Sequence, residues 1–581
     1  MSRNATGAAM RWSRLACVPA LTLSGVLLLA PFLASALRSV APAGQINLSA
    51  FAALLDSVFL SVLGRTIGFA ALVSAGCLLL GTPTAYALLR FPAWATRMLL
   101  GAIGLSFLVG TLIRSYAWLA IFGARGLINS ALHLLGAEYP LKLAFSFGSM
   151  LVASIQVELP LFILPLYGVM RGIDRRLPKA AQSLGADPVT AWFSVFLPLA
   201  LPGLAVSTAL VFLTALGFFT IPALLGPPDT YLLSQELEVR INTLGDDAGA
   251  SARIVVMVLL VVAVVAIAAL VHRAASRPLA DRQPSVLLAG IRARLESAVA
   301  RISPARWVPV AIGFGIVLVL LVLPLVILLP LSLSDDFYLR FPPRALSWRW
   351  PLAYLGDPDL LGSTLFSIEI ALAAAAISSL AGAIAALALP DLSPWWQRIV
   401  TLVTVAPLVV SSITITAALY LVAIHWTWLD PATLFIAVYS VMGLPFGFLL
   451  VGAAAKRMDP RLADAAASLG AAPLVALRTV TLPVLMTAFG SAFVFAFLLA
   501  FDDINAGLFL SSSDRMPLAV RLWEDLKAAI TPLPAAITLL SAVLVGIGYG
   551  LWQLAKLALR RRARTRMARA VADLLATAET R

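Results

Sequence analysis

Four carboxylates interrupt long apolar stretches of the sequence: Glu158, Glu369, Asp502 and Asp503. A charged side chain at bilayer depth costs roughly 3 kcal/mol on insertion scales, so its presence there points to function. The chemistry that such carboxylates offer is the binding of a cation, and we predict that they line a translocation pathway. The alternative is structural: each side chain lies near a helix end, extends to the membrane surface, or pairs with an arginine.

Two aromatic residues, Tyr116 and Trp118, offer a second way of holding a cation, through the faces of their rings. Anchoring of these rings at the membrane interface is the alternative. Patterns typical of catalysis are absent from the sequence, which has no Gly-x-x-x-x-Gly-Lys-Ser/Thr loop, no Gly-x-Ser-x-Gly, no His-Glu-x-x-His and no Cys-x-x-Cys. We therefore expect no catalytic residue, no metal site and no cofactor bound by this chain.

The elements that position these residues are predicted from hydropathy. The chain is 61% hydrophobic and only 12% charged, whereas soluble domains are about 45–50% apolar and about 25% charged. Its apolar stretches match the ~20 residues that a helix needs to cross a bilayer, and they lack the alternation of a membrane β-barrel. We predict an all-α integral membrane protein of about twelve transmembrane helices, built as two repeated six-helix halves. The predicted spans are 15–37, 66–89, 98–121, 143–168, 201–224, 252–271, 307–331, 364–389, 399–422, 432–454, 484–507 and 535–557.

The net charge of +14 comes from lysine and arginine in alternate loops, which is typical of cytoplasmic loops and not of nucleic-acid binding. This charge pattern predicts a multi-pass protein of the bacterial inner membrane with both termini in the cytoplasm. The stretch 15–37 is longer than the 7–15 apolar residues of a signal peptide. We therefore predict a retained first helix, although Ala34-Ser35-Ala36 resembles a cleavage site.

Two polar segments repeat at an offset of 285 residues, each after the fourth span of its half. One is Lys179-Ala-Ala-Gln-Ser-Leu-Gly185, and the other is Asp464-Ala-Ala-Ala-Ser-Leu-Gly470; nine residues and a Val-x-Leu-Pro end follow each. Alanine and leucine favour a short helix, the glycine ends it with a positive φ, and a proline then begins the next helix. We predict a helix–turn–helix that projects from the membrane. Its predicted contact residues are Lys179, Ala180, Ala181 and Gly185 in the first copy and Asp464, Ala465, Ala466 and Gly470 in the second.

This repeated segment resembles the coupling motif of type I ABC importer permeases. The resemblance implies that the first helix of each segment docks in a groove of a cytoplasmic ABC ATPase, which binds and uses the ATP. The family's leading glutamate is Lys179 in one copy and Asp464 in the other, and this departure implies asymmetric docking.

The two halves separately resemble the two permease subunits of spermidine/putrescine importers. The resemblance implies a polyamine substrate, a periplasmic substrate-binding protein, an ATPase dimer and alternating access. Permeases for iron(III), aminoethylphosphonate, opines and thiamine share the same broad group and are alternatives. The resemblance rests on 112–118, 159–167 and 221–226 in the first half, and on 331–337, 501–503 and 518–523 in the second.

Two other classes of function compete with this interpretation. An ion-coupled secondary transporter also often has two related halves, but it has no use for a pair of docking segments. A membrane-embedded enzyme would need a catalytic constellation. The predicted organisation is 1–60, first helix and periplasmic loop; 61–272, first permease domain; 273–306, cytoplasmic linker; 307–360, seventh helix and periplasmic loop; 361–557, second permease domain; and 558–581, basic cytoplasmic tail.

The sequence also contains two Gly-x-x-x-Gly pairs, which favour close packing of helices. They are Gly64 with Gly68 and Gly546 with Gly550. We predict that both pairs lie at helix–helix contacts.

Overall fold

A computed structural model describes residues 14–41, 45–275, 308–424, 429–459, 461–462, 468, 475, 477–512, 515–541 and 543. Within these ranges the chain forms helices and connecting turns, with two isolated bridges and no strand. The prediction of an all-α fold is therefore confirmed. The predicted linker 273–306, beyond Ala275, and the predicted tail 558–581 lie outside the described residues.

The main helices alternate between long spans and short connecting helices. In chain order they are α1 (Arg14–Val40), α2 (Ser57–Leu88), α3 (Ala93–Leu108), α4 (Thr111–Phe122), α5 (Leu127–Leu134), α6 (Phe147–Arg171), α7 (Arg176–Ser183), α8 (Pro188–Leu216), α9 (Thr220–Leu225), α10 (Leu233–Asn242), α11 (Asp247–Ala275), α12 (Val308–Ser332), α13 (Arg349–Gly356), α14 (Pro358–Ala388), α15 (Pro394–Val409), α16 (Ser412–Ala423), α17 (Pro431–Arg457), α18 (Leu477–Asp502), α19 (Asn505–Leu510) and α20 (Leu518–Ala528).

Nine helices in the described part of the chain are long and apolar enough to cross a membrane, and two bent pairs raise the number to eleven. The chain is thus a multi-pass membrane protein. These eleven elements correspond to the first eleven predicted spans. The twelfth predicted span, 535–557, lies mostly outside the described residues, so the total of twelve remains a prediction.

Two predicted spans, 98–121 and 399–422, are broken in the middle. The helices α3 and α4 meet at 96°, and α15 and α16 meet at 102°. Extended backbone causes both breaks, since ψ is 154° at Gly110 and 140° at Ser411. Continuous helices were therefore a wrong prediction for these two spans.

Two other spans end earlier than predicted. The span predicted to reach residue 224 ends at Leu216, and the span predicted to reach residue 507 ends at Asp502. A non-helical link follows each end, and then the short helices α9 and α19 begin. Hydropathy cannot detect such breaks because the linking residues are themselves largely apolar.

The two halves repeat each other closely. An offset of 285 residues places α9 on α19 and the start of α10 on the start of α20, while an offset of 301 places α2 on α14, α3 on α15 and α4 on α16. The difference arises between α4 and α6, where only the first half has the extra helix α5. The repeat extends to the hydroxyl groups that bind the first N–H of α10 and of α20. Thr66 Oγ1 accepts from Leu233 N at 2.9 Å, and Ser367 Oγ accepts from Leu518 N at 2.7 Å.

The first helix of each half packs against the opposite half. On α1, Leu28 is buried with Ile370 and Phe435 of the second half, and Arg38 donates to the carbonyl of Leu421. On α12, the ring of Phe314 lies 5.1 Å from that of Phe91 in the first half. The two halves are thereby interlocked.

Small residues bring α14 and α17 into close contact. A Cβ on Gly382 would lie 2.6 Å from the carbonyl oxygen of Leu444, and one on Gly447 would lie 2.8 Å from that of Ser379. Such contacts between backbones drive helix association in lipid. In contrast, a Cβ on Gly64 or Gly68 would meet no atom of the described residues within 4 Å, so the predicted packing role of that pair is not seen in this part of the chain. Gly546 and Gly550 lie outside the described residues.

Candidate functional site

The first repeated segment folds as a helix–turn–helix, which we call the coupling hairpin (residues 176–198). Its first helix, α7, carries Lys179, Ala180 and Ala181, and it ends at Ser183. Gly185 has a φ of +93°, and the N–H of Ala186 donates to the carbonyl of Ala181 at 3.1 Å. Positive φ suits glycine, which has no Cβ, so the predicted turn is present.

The second arm of the coupling hairpin begins at a well-defined cap. The carboxylate of Asp187 accepts from the N–H groups of Val189 and Thr190 at 3.1 and 3.3 Å. The arm is the start of α8: it passes through the π-helical turn Trp192–Phe196 and continues as the long apolar part of that helix from Leu197 and Pro198. The predicted transition from a polar segment into a membrane span is therefore observed.

The tip of the coupling hairpin is exposed and apolar, whereas its base is fixed. Leu184 at the tip is 90% exposed, and Lys179, Ala180 and Gly185 are also exposed. At the base, Arg175 donates to the carbonyl of Leu89 at 3.1 Å. An exposed apolar tip on a fixed base is a surface on which another protein can dock.

The second copy of the hairpin is only partly described. Asp464, Ala465, Ala466 and Gly470 lie outside the described residues. The π-helical turn Leu477–Thr481 at the start of α18 repeats the turn Trp192–Phe196 near the start of α8. The role of all eight predicted contact residues in docking stays a prediction.

A group of charged side chains lies where α18 of the second half meets the break between α3 and α4 of the first. The carboxylate of Asp502 accepts from the backbone N–H of Thr111 at 2.7 Å. Thr111 is the first residue of α4, so a carboxylate there also meets the positive end of the helix dipole. A Cβ on Gly110 would overlap the Asp502 carboxylate, which explains the glycine at this break.

Arg114 lies one turn further along α4 and is 4% exposed. Its guanidinium donates to the carbonyl of Val157 at 3.3 Å and to the hydroxyl of Thr111 at 3.5 Å, while its Nε has no hydrogen-bond partner. The guanidinium interacts electrostatically with both Asp502 and Glu158. Arg114 is therefore a buried cation between carboxylates from different halves.

The other two carboxylates of this region have their own partners. Glu158, also 4% exposed, accepts from the hydroxyl of Thr214 at 2.8 Å. Asp503 accepts from the backbone N–H of Ala506 at 2.8 Å and so caps α19. The charged cluster (Arg114, Glu158, Asp502 and Asp503) thus brings together three of the four predicted pathway carboxylates.

The remaining predicted pathway residues lie elsewhere. Glu369 is exposed on α14. Tyr116 and Trp118 are fully or nearly buried; the Tyr116 hydroxyl donates to the carbonyl of Thr531 at 2.8 Å, and the Trp118 indole N–H donates to Gln156 at 3.2 Å. In this conformation the two aromatic side chains support helix packing.

Sequence reasoning missed Arg114 and Thr214 as members of the cluster. Arg114 carried a signal, since a lone arginine inside an apolar span has the same cost as a lone carboxylate. Thr214 carried none, because hydroxyls are common in membrane helices. Among the described residues, no three His, Cys, Asp or Glu side chains are grouped as a metal site would require.

Comparison with known proteins identifies transport permeases as relatives. PotB, a spermidine/putrescine transport system permease protein, is 28% identical in Salmonella typhimurium over 216 residues, which are 37% of this chain and 75% of that protein. PotB of Escherichia coli K12 is 27% identical over 37% of this chain and 78% of that protein. PhnU of Salmonella typhi, named for 2-aminoethylphosphonate transport, is 32% identical over 32% of this chain and 64% of that protein.

No family model matches the chain. A solved chain of a bacterial ABC transporter involved in alginate import matches 43% of this chain and 91% of that chain with a TM-score of 0.38 and 16% identity. The chain is about twice as long as its curated relatives. It is therefore similar to transport system permease proteins and long enough to hold two such permeases in one chain.

Proposed function

We propose that this chain is the complete membrane permease of a binding-protein-dependent ABC importer for polyamines. The observation that carries the proposal is the coupling hairpin, with its exposed Leu184 tip, in a chain related to PotB. One such hairpin per half would give an ATPase dimer two points of attachment. The chain itself would transport and not catalyse, since the partner hydrolyses ATP.

The charged cluster supports a cationic substrate. Glu158, Asp502 and Asp503 provide three carboxylates against the single cation Arg114, and so the region favours an added positive charge. Spermidine and putrescine carry several ammonium groups separated by methylene chains. They would fit a carboxylate-rich passage bordered by apolar helices.

The proposed mechanism is alternating access in the bacterial inner membrane, with both termini in the cytoplasm. A periplasmic binding protein would deliver the substrate, and closure of the ATPase dimer would pull the two hairpins together. Reversing a two-state equilibrium from 1:99 to 99:1 takes about 5.5 kcal/mol. ATP and the docked binding protein can supply this only through their preference for one state.

The test is co-purification followed by reconstitution. The tagged chain is purified with its ATPase, placed in proteoliposomes, and supplied with the binding protein and radiolabelled spermidine. We expect ATP-dependent uptake. Uptake driven by an ion gradient without an ATPase would contradict the proposal and indicate a secondary transporter.

The relative PhnU makes 2-aminoethylphosphonate the second candidate substrate. This molecule carries one ammonium and one phosphonate group, so it would need the buried Arg114 as well as a carboxylate. The same proteoliposomes decide between the two substrates, because a polyamine permease transports spermidine and leaves 2-aminoethylphosphonate outside.

A further inference from the structure

The fifth span of each half, α8 or α18, ends against the broken span of the other half. The break in the first half lies between α3 and α4, and the break in the second half lies between α15 and α16. In the first break, Asp502 at the end of α18 meets Gly110 and Thr111. In the second break, Ser411 donates to the carbonyl of Gly217, the residue that follows α8, at 3.3 Å. The offsets of the repeat make Asp502 equivalent to Gly217, and they make Gly110 equivalent to Ser411.

The two contacts are complementary in size but differ in charge. A polar side chain faces a glycine in each, and a Cβ on Gly217 would overlap Ser411 as one on Gly110 would overlap Asp502. Only the contact made by Asp502 contains a carboxylate. A purely structural contact would have no need of this difference, since the neutral pair already closes the second break.

The surroundings of Asp502 also favour exchange of its partner. The residue is partly exposed. The neighbouring Arg114 is 96% buried with its Nε unpartnered, although guanidinium N–H groups are normally hydrogen-bonded when buried. The carboxylate therefore has a neutral donor in Thr111 and an incompletely bonded cation nearby.

We propose that Asp502 is a substrate-released latch between the two halves. In the conformation described, the Thr111 N–H holds the Asp502 carboxylate in the break of the first half. An ammonium group of the transported cation takes over the carboxylate, and the first break is freed to move. This inference rests on the proposed function, from which it takes its cationic substrate.

The two breaks would then differ in function, because only the break of the first half would respond to substrate. An ammonium group brings a full positive charge to the Asp502 carboxylate, whereas the Thr111 N–H is only a dipole, so an ammonium group competes effectively with it. The contact between Ser411 and Gly217 has no charged group of its own. The nearby carboxylate of Asp503 is already held by Ser412, Asn505 and the Ala506 N–H, and we expect the second break to act as a fixed pivot. Substrate would then open the charged side first.

Three changes separate the latch from a structural role. Asp502→Asn keeps an acceptor for the Thr111 N–H but removes the charge. The pair Asp502→Gly with Gly110→Ser copies the neutral contact of the second break into the first. Thr111→Pro removes the N–H donor, together with the hydroxyl that accepts from Arg114; Thr111→Val, which loses the hydroxyl and keeps the N–H, separates the two losses. Proline is accepted at the first position of a helix, and Gly110, at φ −55° and ψ 154°, already has the backbone that precedes proline.

The assay measures spermidine uptake and ATP hydrolysis in proteoliposomes with the ATPase and binding protein. We expect Asp502→Asn and the double variant to lose about ten- to a hundredfold in uptake, as expected for a lost hydrogen bond to a charged group, and to lose stimulation of hydrolysis by loaded binding protein. Thr111→Pro should raise hydrolysis without substrate. Ser411→Ala, the control at the neutral contact, should stay within twofold of the unchanged protein.

The diagnostic result is loss of uptake in Asp502→Asn and the double variant together with raised basal hydrolysis in Thr111→Pro. If the contact were merely structural, all of these variants would lose activity. Full uptake by the double variant, or unchanged basal hydrolysis in Thr111→Pro, would overturn the latch while leaving the polyamine permease intact. Absence of spermidine uptake by the unchanged protein would instead overturn the proposed function, and the ammonium-released latch with it. Co-purification with the ATPase verifies that each variant is folded.

Discussion

Glu158 is the carboxylate most deeply placed between helices, and its charge is the property to test. Glu158→Gln retains the size of the side chain and an acceptor for the Thr214 hydroxyl, so the packing of α6 against α8 should survive. The lost charge should lower the initial rate of spermidine uptake about tenfold, the lower end of the effect of a hydrogen bond to a charged group. Radiolabelled uptake into proteoliposomes at several spermidine concentrations gives the measurement.

The matched comparison is the same change at Glu369, which is exposed on α14 and lies outside the charged cluster. We expect a smaller loss there, because that side chain is not enclosed by other helices. An unchanged rate in Glu158→Gln would remove Glu158 from the pathway. An equal loss at both positions would mean that the pathway also follows the exposed face of α14.

At the scale of the elements, the contact between α14 and α17 depends on glycine. An alanine Cβ at Gly447 would lie 2.8–3.0 Å from backbone atoms of α14, so Gly447→Ala should destabilise the protein by about 2 kcal/mol through overpacking. The control is Gly490→Ala in α18, where a Cβ meets nothing within 4 Å. That change should stabilise the helix slightly, by up to about 1 kcal/mol.

Thermal unfolding in detergent measures both effects as shifts of Tm in opposite directions. A fall in Tm for Gly490→Ala as large as that for Gly447→Ala would show that helix propensity and not the contact governs the response. Equal Tm values for Gly447→Ala and the unchanged protein would mean that α14 and α17 can separate without cost.

The elements could largely be predicted from the sequence, and the reason is physical. Backbone groups in lipid must be paired within a helix, so hydropathy alone located eleven spans. The turn at Gly185 was predictable too, since a glycine after an alanine-rich segment is a local signal. The breaks at Gly110 and Ser411 were not, because the residues around them are as apolar as the helices that they separate.

The sequence predicted the carboxylates of the charged cluster, but it did not predict which residues they contact. Glu158 and Asp502 stand out as carboxylates in apolar sequence, but Asp502 meets Thr111 across 391 positions of the chain. Such a contact depends on how two halves pack, which no local pattern encodes. For the same reason the sequence did not distinguish Glu369, which is exposed, from Glu158, which is buried.

At the scale of the whole molecule, the exchanged first helices predict that the two halves assemble without a covalent link. The helix α1 buries Leu28 against the second half, and α12 places Phe314 on Phe91 of the first half. Chains 1–290 and 291–581, expressed together, should therefore co-purify through a tag on one of them. Failure to co-purify, with both chains present in the membrane, would show that the linker is needed for assembly.

In the proposed mechanism, an ATPase dimer would engage the coupling hairpin and the repeated segment 464–483 of the second half. Both would have to be engaged for the halves to move against each other, so damage to either one should stop transport. We expect Ala466→Arg or Gly470→Pro in the second copy, and Ala181→Arg in the coupling hairpin, to abolish spermidine uptake. A large charged side chain, or a proline where the turn is needed, prevents close approach of a partner but leaves the membrane helices intact.

Immunoblots of washed membranes provide the control for insertion, and co-purification of the ATPase reports docking. Lys179→Glu, which gives the first copy an acidic residue as Asp464 gives the second, tests the asymmetry; we expect it to strengthen retention of the ATPase. Normal uptake by Ala181→Arg together with loss in Ala466→Arg would show that the second hairpin alone transmits the motion. Normal uptake by all three damaging variants would contradict a docking role for both hairpins, and the drive for alternating access would then have to enter the molecule elsewhere.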